Sequence, residues 1–243
     1  MSLVLITGSG RRIGRGLAIE FARKGWNVII HFNSAMESAL ETKNYIVKNF
    51  GVKVFTFASD LQDIKTSVDN FEKVFNEVGV PNVLVNNAAI FPNRRNLDEI
   101  DEEIWDLTLT INLKAYLFVS KTFAKYAQEG SRIINIGSLG GIETWKGRIP
   151  YNISKAGVIQ LTKSLAKELA PKITVNCVNP GTIFIPYEPN QIDSPLVPLE
   201  KIPMQRYGTI LDIFDAVYFF ATCSNFITGQ VLNVDGGYHL DRF

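Results

Sequence analysis

Two residues in the second half of the chain are placed to carry proton-transfer chemistry. Tyr151 and Lys155 lie four residues apart in a segment with helical periodicity, so both side chains fall on one helix face. An ammonium ion beside a phenol favours the phenolate, and the ordinary pKa of a tyrosine is about 10. We therefore expect this phenol to exchange protons with an alcohol or a carbonyl near neutral pH. Ser138 precedes the tyrosine by thirteen residues, shortly after an apolar run.

The elements that would position these residues alternate between strands and helices. Short apolar runs predict strands over residues 3–6, 26–32, 53–58, 82–85, 132–136, 173–178 and 230–234. Apolar residues at helical spacing predict helices over residues 13–25, 35–49, 63–78, 102–128, 151–170 and 211–222. This alternation predicts an α/β fold of the Rossmann type, with a doubly wound, mainly parallel seven-stranded sheet and helices on both faces. Residues 1–243 contain no linker or repeat and are predicted to form a single domain.

Two local features of these helices are also expected. Ser34 is placed to cap the helix over residues 35–49. The helix over residues 151–170 carries one apolar stripe, which is expected to face the core. Its members are Ile153, Gly157, Leu161, Leu165 and Leu169.

Composition excludes several classes of protein. Hydrophobic residues make up 46% of the 243 residues and charged residues 20%, which is typical of a globular domain rather than a disordered chain. A net charge of +1 gives no reason to expect nucleic acid or a membrane as a partner. Two cysteines, an apolar start too short for a signal peptide and no histidine cluster favour a cytoplasmic protein without a metal site.

Glycine or polar residues follow the ends of five predicted strands. Because ligands of open parallel sheets bind beyond the carboxyl ends of the strands, these residues predict one shared site. They are Gly8, Asp60, Asn86, Ser138 and the pair Pro180 and Gly181.

The turn after the first strand is the candidate dinucleotide loop. Residues 7–16 read TGSGRRIGRG, and glycine there would let the backbone turn tightly and let a phosphate approach the helix N-terminus. The spacing departs from G-x-G-x-x-G, so an ordinary turn is the alternative. The candidate cofactor-binding residues in this loop are Gly8, Gly10, Arg11, Arg12, Ile13 and Gly14.

The residues at the end of the second strand help to distinguish NADP(H) from NAD(H) as the dinucleotide. An acidic residue that would hold a ribose 2′-hydroxyl is missing there before Glu37. The residues present are His31, Asn33 and Ser34, which could hold a 2′-phosphate together with the two loop arginines. The sequence therefore favours NADP(H) over NAD(H). The alternative, in which both arginines point into solvent, stays open.

Residues 182–206 form the longest irregular stretch of the chain. It contains five prolines and no sustained periodicity, and its apolar side chains favour a lid over the substrate. The alternative is a surface excursion packed for stability alone. Candidate substrate-binding residues in it are Phe184 and Tyr187.

With these motifs assembled, the chain resembles the single-domain short-chain dehydrogenases/reductases over essentially all of its length. The resemblance is carried by TGSGRRIG at 7–14, Asp60-Leu61, NNAA at 86–89, Asn112, Ser138, YNISK at 151–155, NPG at 179–181 and VDGG at 234–237. It implies that Tyr151 is the general acid/base and that Ser138 orients and polarises the substrate oxygen. It also implies that Lys155 binds the nicotinamide ribose and lowers the pKa of the tyrosine, while Asn112 holds a water that relays protons towards Lys155.

The resemblance also implies further cofactor contacts and an assembly. The cofactor contacts would be made by Asp60, Leu61, Asn87, Ala88, Ala89, Pro180, Gly181, Thr182 and Ile183. Relatives pair the two long helices, residues 102–128 and 151–170, between subunits. A homotetramer is therefore expected, with a homodimer as the alternative.

The substrate is left between two branches of the family. Arg12 stands where the middle glycine of the family's T-G-x-x-x-G-x-G is usual, and that arginine, with Phe91, is similar to the pteridine reductases. Ser138 and the IPMQRYG…ITGQVLNVDGG ending resemble the 3-oxoacyl-[acyl-carrier-protein] reductases equally well. A 3-oxoacyl thioester, which could be carried by an acyl carrier protein, is the first expectation. A pterin stacked on Phe91 is the second, and a cofactor-binding regulator without turnover is the third.

Overall fold

The computed structural model describes residues 2–185 and 197–240. Its strands are β1 (Leu3–Ile6), β2 (Asn27–Phe32), β3 (Val54–Ala58), β4 (Val83–Asn86), β5 (Ser131–Ile136), β6 (Ile173–Pro180) and β7 (Val231–Val234). Its α-helices are α1 (Arg12–Arg23), α2 (Met36–Phe50), α3 (Ile64–Val78), α4 (Glu102–Leu109), α5 (Ala115–Tyr126), α6 (Ile149–Leu169) and α7 (Ile210–Thr222). These bounds agree with the predicted order of elements and differ by a few residues at the ends.

The strands pair in the order β3-β2-β1-β4-β5-β6-β7, and each pairing is parallel. The order reverses direction between β1 and β4. A crevice opens at such a point in a doubly wound sheet, beyond the carboxyl ends of the strands. The predicted fold class is therefore confirmed, and the crevice lies where Gly8 and Asn87 follow their strands.

Alternate residues of each strand enter the two cores because successive side chains point to opposite faces. In β1, Val4 and Ile6 pack with the buried stripes of α1, α2 and α7, whereas Leu5 packs with α3, α5 and α6. Burial on both faces explains why the strands are nearly continuous apolar runs.

Side-chain oxygens cap α3, α4 and α7, whereas α2 begins without such a cap. Asp63 accepts a hydrogen bond from the Thr66 backbone N–H at 3.1 Å, and Thr209 with Asp212 forms a capping box on α7. The expectation for Ser34 is wrong, because the chain enters α2 through Ala35 and no side chain caps that end.

The predicted helix over residues 102–128 is interrupted. Residues Thr110–Lys114 form a π-helical turn between α4 and α5, and Asn112 lies in its centre. Such turns recur at functional sites because they displace a residue from the regular helical pattern.

A buried polar network joins the centre of the sheet to two helices. The Asn86 side-chain amide of β4 donates to Ser120 of α5 and to Asn135 of β5, each at 2.9 Å. Asn135 in turn donates to Thr162 of α6 at 2.9 Å. Buried polar groups that satisfy one another specify one arrangement of the elements that carry them. This network therefore fixes α6 relative to the strand that leads to Ser138.

The stripe predicted for α6 is confirmed only in part: Leu165 is buried, and Leu161 and Leu169 pack against the core. Ile153 is 46% exposed, and the residues that face the protein are Pro150, Ser154, Lys155, Val158, Thr162, Leu165 and Ala166. Polar members of this face find partners in the sheet, as Thr162 does with Asn135, so burial there does not require an apolar side chain.

Among the described residues, no helix combines the length and apolar character needed to cross a membrane. Within the same ranges, no cluster of three or more His, Cys, Asp or Glu side chains is placed to hold a metal ion.

Candidate active site

The loop between β1 and α1 brings its backbone close to the end of β4. Gly8 has a φ of +63°, and a Cβ at this position would lie 2.9 Å from the Cα of Ala88. Only glycine fits both the left-handed backbone and this approach. The buried hydroxyl of Thr7 accepts the backbone N–H groups of Asn87 and Ala88 at 2.9 and 3.0 Å, which joins the two strand ends. Thr7 is part of the TGSGRRIG motif, but its role in joining the strand ends was not predicted.

Arg12 adopts the conformation of the glycine that it replaces. Its φ is +53°, in the left-handed region, whereas that of Arg11 is −151°. A residue with a Cβ is strained by about 1 to 2 kcal/mol in this region. Both arginine side chains are exposed at the N-terminus of α1. The loop therefore places a cation at the position where its backbone is strained.

The expectation that His31 contacts the cofactor is wrong. Its ring is 1% exposed, its Nδ1 accepts the backbone N–H of Gly8 at 3.0 Å, and its Nε2 lies 3.0 Å from the Ser59 carbonyl oxygen. Burial lowers the pKa of His31 to about 4, so the ring is neutral. His31 supports the glycine loop from inside, and Asn33 and Ser34 are the exposed residues after β2.

Ser138 is positioned by a residue of the neighbouring strand. The buried Asn179 at the end of β6 accepts the Ser138 backbone N–H at 3.1 Å and donates to Asn233 of β7 at 3.1 Å. The Ser138 hydroxyl accepts the backbone N–H of Gly140 at 3.1 Å. The serine is therefore held by Asn179 of β6 and by its own turn, and Asn179 had been named from the sequence only as part of a motif.

Tyr151 and Lys155 share one face of the first turns of α6, as their spacing predicts. The Lys155 ammonium lies 6.0 Å from the centre of the Tyr151 ring, and it donates to the Ile136 carbonyl oxygen at 2.8 Å. The lysine is 2% exposed. Burial lowers the pKa of Lys155 from 10.5 to about 8, because a charged group loses its hydration.

The pKa of Tyr151 moves in the opposite direction from the sequence expectation. Burial raises the pKa of its phenol above 10.0, and a hydrogen bond with Ser138 and the charges of Arg148 and Arg12 act against burial. Lys155 lies on the same side of the site and donates its hydrogen bond to the Ile136 carbonyl.

Asn112 is fully buried, and its side chain is used within the protein. Its Oδ1 accepts the Ile90 backbone N–H at 2.8 Å, and its Nδ2 donates to the Ile90 carbonyl at 3.0 Å and to Ser154 at 3.1 Å. Ser154 donates to the Tyr151 carbonyl at 2.7 Å. Asn112 therefore connects the segment after β4 to the start of α6.

Aromatic rings surround the tyrosine, and only one of them was expected. Phe91 meets the Tyr151 ring edge to face at 4.6 Å between ring centres. Trp145 lies nearly parallel to Tyr151, with an interplanar angle of 12° and ring centres 6.1 Å apart. The buried Arg148 guanidinium covers Phe91 at 4.0 Å. Arg148 and Trp145 precede Tyr151 by three and six residues, and this proximity was the one sequence signal that they belong to the site.

The remaining predicted contacts lie around the same edge. Asp60 is exposed after β3, Leu61 is buried in the core, and the Gly181 N–H donates to the Val234 carbonyl at 2.9 Å. Thr182 and Ile183 are the first residues of the predicted lid, and Phe184 is 47% exposed. Tyr187 and the rest of residues 186–196 lie outside the described residues, so the lid stays a prediction.

The geometry defines a class of protein. The backbone around Gly8 forms a cradle at the crevice between β1 and β4, and a Cβ at Gly8 would fill this cradle. The cradle suits a dinucleotide phosphate at the N-terminus of α1. A tyrosine, a serine and a buried lysine gather at the same sheet edge. Fold and site together are those of a dinucleotide-dependent oxidoreductase.

Comparisons with known proteins identify the family. A family model described as enoyl-(acyl carrier protein) reductase matches residues 8–239. A 3-oxoacyl-[acyl-carrier-protein] reductase of Synechocystis sp. is 34% identical over 97% of this chain and 96% of that protein, and one of Staphylococcus aureus is 36% identical over 97% of each. A short-chain dehydrogenase from Burkholderia cenocepacia, solved in complex with NADP, has a TM-score of 0.89 at 30% identity and covers 98% of each chain. The chain belongs to the short-chain dehydrogenase/reductase family and is an NAD(P)-dependent oxidoreductase.

The strain at Arg12 predicts opposite effects for two neighbouring substitutions. Arg12→Gly should raise the free energy of unfolding by about 1 kcal/mol, because glycine adopts the left-handed backbone without strain. Arg11→Gly should lower it by about 0.5 to 1 kcal/mol, because the extended backbone of Arg11 gains nothing from glycine. Urea unfolding of the two variants measures both. A lower stability for Arg12→Gly than for Arg11→Gly would contradict the strain.

The buried Lys155 predicts a pH dependence of stability. Its pKa is about 8 in the folded protein and about 10.4 in the unfolded chain, so the unfolded chain binds more protons between these values. Stability therefore rises with pH over this interval. Relative to Lys155→Met, the wild type should gain roughly 2 kcal/mol of unfolding free energy between pH 7 and pH 10. A difference between the two proteins that stays constant with pH would show that the lysine is not desolvated.

Proposed function

We propose that this protein uses NADPH to reduce a carbonyl group, with 3-oxoacyl thioesters as the first substrate class. The observation that supports the reaction is the meeting of Tyr151, Ser138 and Lys155 at the sheet edge that also holds the glycine cradle. The 3-oxoacyl-[acyl-carrier-protein] reductases to which the chain is similar support the thioester. An acyl carrier protein is accordingly the proposed carrier of the substrate.

In this proposal Tyr151 gives a proton to the carbonyl oxygen while hydride reaches the carbon. The Ser138 hydroxyl, which bonds to Tyr151, orients the same oxygen. Lys155 would hold the nicotinamide ribose. Because the Asn112 side chain is occupied by Ile90 and Ser154, the relay water is assigned to its main-chain carbonyl in the π-helical turn.

NADPH is preferred in the proposal over NADH. Arg11 and Arg12 are exposed beside the glycine loop, and the exposed residues after β2 are Asn33 and Ser34 rather than an acid. A 2′-phosphate would find cations and neutral donors there. The related Burkholderia cenocepacia enzyme, solved with NADP, agrees with this preference.

A pterin is the second candidate substrate, and the aromatic surroundings of Tyr151 favour it. Phe91 is 46% exposed and, with Trp145, offers apolar ring surface beside the tyrosine. A flat heterocycle could both bury apolar area and stack on such a surface, whereas an acyl chain could only bury apolar area there.

A homotetramer is the proposed assembly, with a homodimer as the alternative. Apolar side chains stay exposed on α5 and α6, the helices expected to pair between subunits: Leu117 is 39% exposed, Ile149 38% and Ile153 46%. Light scattering on the purified protein distinguishes four, two and one subunits, and a monomer would refute the proposal.

The proposed reaction predicts which compounds oxidise NADPH and which residue of the protein is needed. NADPH oxidation at 340 nm should be seen with an acetoacetyl thioester or with dihydrobiopterin, and not with simple sugars or quinones. Tyr151→Phe should lower kcat about 1,000-fold with NADPH affinity retained, because loss of a general acid costs roughly 100- to 10,000-fold.

The matched control is Tyr45→Phe, since Tyr45 is exposed on α2 and remote from the sheet edge. It should keep full activity. Full activity of Tyr151→Phe on a confirmed substrate would refute the mechanism, and normal NADPH binding without reduction of any carbonyl would refute the proposed function.

A further inference from the structure

Glu143 is a buried carboxylate that the proposed reaction does not use. Its side chain has no exposed surface, and it lies in the segment between Ser138 and α6. Burial of a carboxylate is costly unless hydrogen bonds or an opposite charge compensate it. The buried carboxylate of Glu143 therefore needs hydrogen-bond donors or a positive charge beside it.

One partner of Glu143 is its near neighbour in sequence, and the other lies close to the C-terminus. The Trp145 indole N–H donates to Glu143 Oε2 at 2.8 Å, and His239 Nδ1 lies 3.5 Å from Glu143 Oε1. His239 belongs to the turn Tyr238–Leu240 near the C-terminus. Asp235 accepts the backbone N–H of His239 at 2.9 Å and that of Gly237 at 3.0 Å, which fixes the turn to the end of β7.

These contacts lead to the aromatic side of the active site. Trp145 is nearly parallel to Tyr151 and meets Phe91 edge to face at 87°. A path of direct contacts thus runs from His239 through Glu143 and Trp145 to the ring of Tyr151. The glycine loop lies elsewhere, at the end of β1 and the start of α1.

We propose that His239, acting through Glu143, is a positioning residue that holds Trp145 as one wall of the substrate pocket. This inference rests on the proposed carbonyl reduction, and it assigns to the C-terminal turn an effect on substrate binding. The cofactor is bound by another part of the sheet edge, so its affinity is independent of His239. A loose Trp145 would remove contact surface from the substrate in the ground state and the transition state alike, which raises KM and leaves kcat nearly unchanged.

The first test separates substrate binding from cofactor binding. His239→Gln should raise KM for the carbonyl substrate about tenfold, with KM for NADPH and kcat within about twofold of the wild type. Leu240→Ala is the matched control, because Leu240 lies in the same turn and is 71% exposed. The control should leave all three constants unchanged. An unchanged substrate KM in His239→Gln, or a change in the NADPH KM alone, would overturn the proposal.

A double-mutant cycle tests whether His239 acts through Glu143. Glu143→Gln with His239→Gln should raise KM no further than Glu143→Gln alone. Two effects that multiply would show that His239 acts by another route. Where Glu143→Gln does not fold, the cycle is run between His239→Gln and Trp145→Phe with the same criterion.

Tryptophan fluorescence tests the positioning role of His239 without any enzymatic assay. His239→Gln should change the tryptophan emission spectrum, and this change should vanish in the Trp145→Phe background. A change that persists without Trp145, or no change at all, would overturn the positioning role. If the wild type reduces no carbonyl, the proposed function fails, while the fluorescence result still decides whether His239 positions Trp145.

Discussion

The burial of Lys155 is the constraint on which the rest of the site depends. An ammonium group with 2% exposure must be compensated locally, and here the Ile136 carbonyl accepts a hydrogen bond from it at 2.8 Å while the Tyr116 ring lies 5.3 Å away. These contacts join α6 to the end of β5. Together with the Asn135–Thr162 hydrogen bond, they place the start of α6 over the strand that carries Ser138. The sheet edge and the catalytic helix are therefore fixed by polar contacts as much as by apolar packing.

The same burial sets the proton affinity of Tyr151. Phe91 and Trp145 remove water from the phenol, and desolvation opposes the phenolate more strongly than Ser138, Arg148 and Arg12 favour it. In the proposed reaction the tyrosine must hold its proton until the carbonyl oxygen takes it. A raised pKa keeps the phenol of Tyr151 protonated, as a general acid requires. The reverse step, in which the phenolate accepts a proton from the alcohol, requires added positive charge nearby to stabilise that phenolate. An oxidised nicotinamide ring supplies such a charge when it is bound.

Much of this arrangement could be predicted from local sequence, and the rest depends on contacts that local sequence does not show. The apolar strands, the strand ends and the Tyr151–Lys155 spacing each depend on a few neighbouring residues, and the structure agrees with them. The burial of His31 could not be read because its partners, Gly8 and Ser59, are remote in the chain. The polar members of the buried α6 face could not be read for a similar reason, because the partners of Lys155 and Thr162 lie on β5. Glu143 and His239 are 96 residues apart, and no motif connects them.

Ionisation of Tyr151 tests the central claim that desolvation sets its proton affinity against the neighbouring cations. The measurement is a pH titration of tyrosinate absorbance near 295 nm, taken as the difference between the wild type and Tyr151→Phe, with and without NADP+. The account predicts a midpoint above 10 without dinucleotide and a lower midpoint with NADP+. A midpoint below 10 in the protein alone would contradict the account, because the cations would then outweigh burial without any contribution from the cofactor.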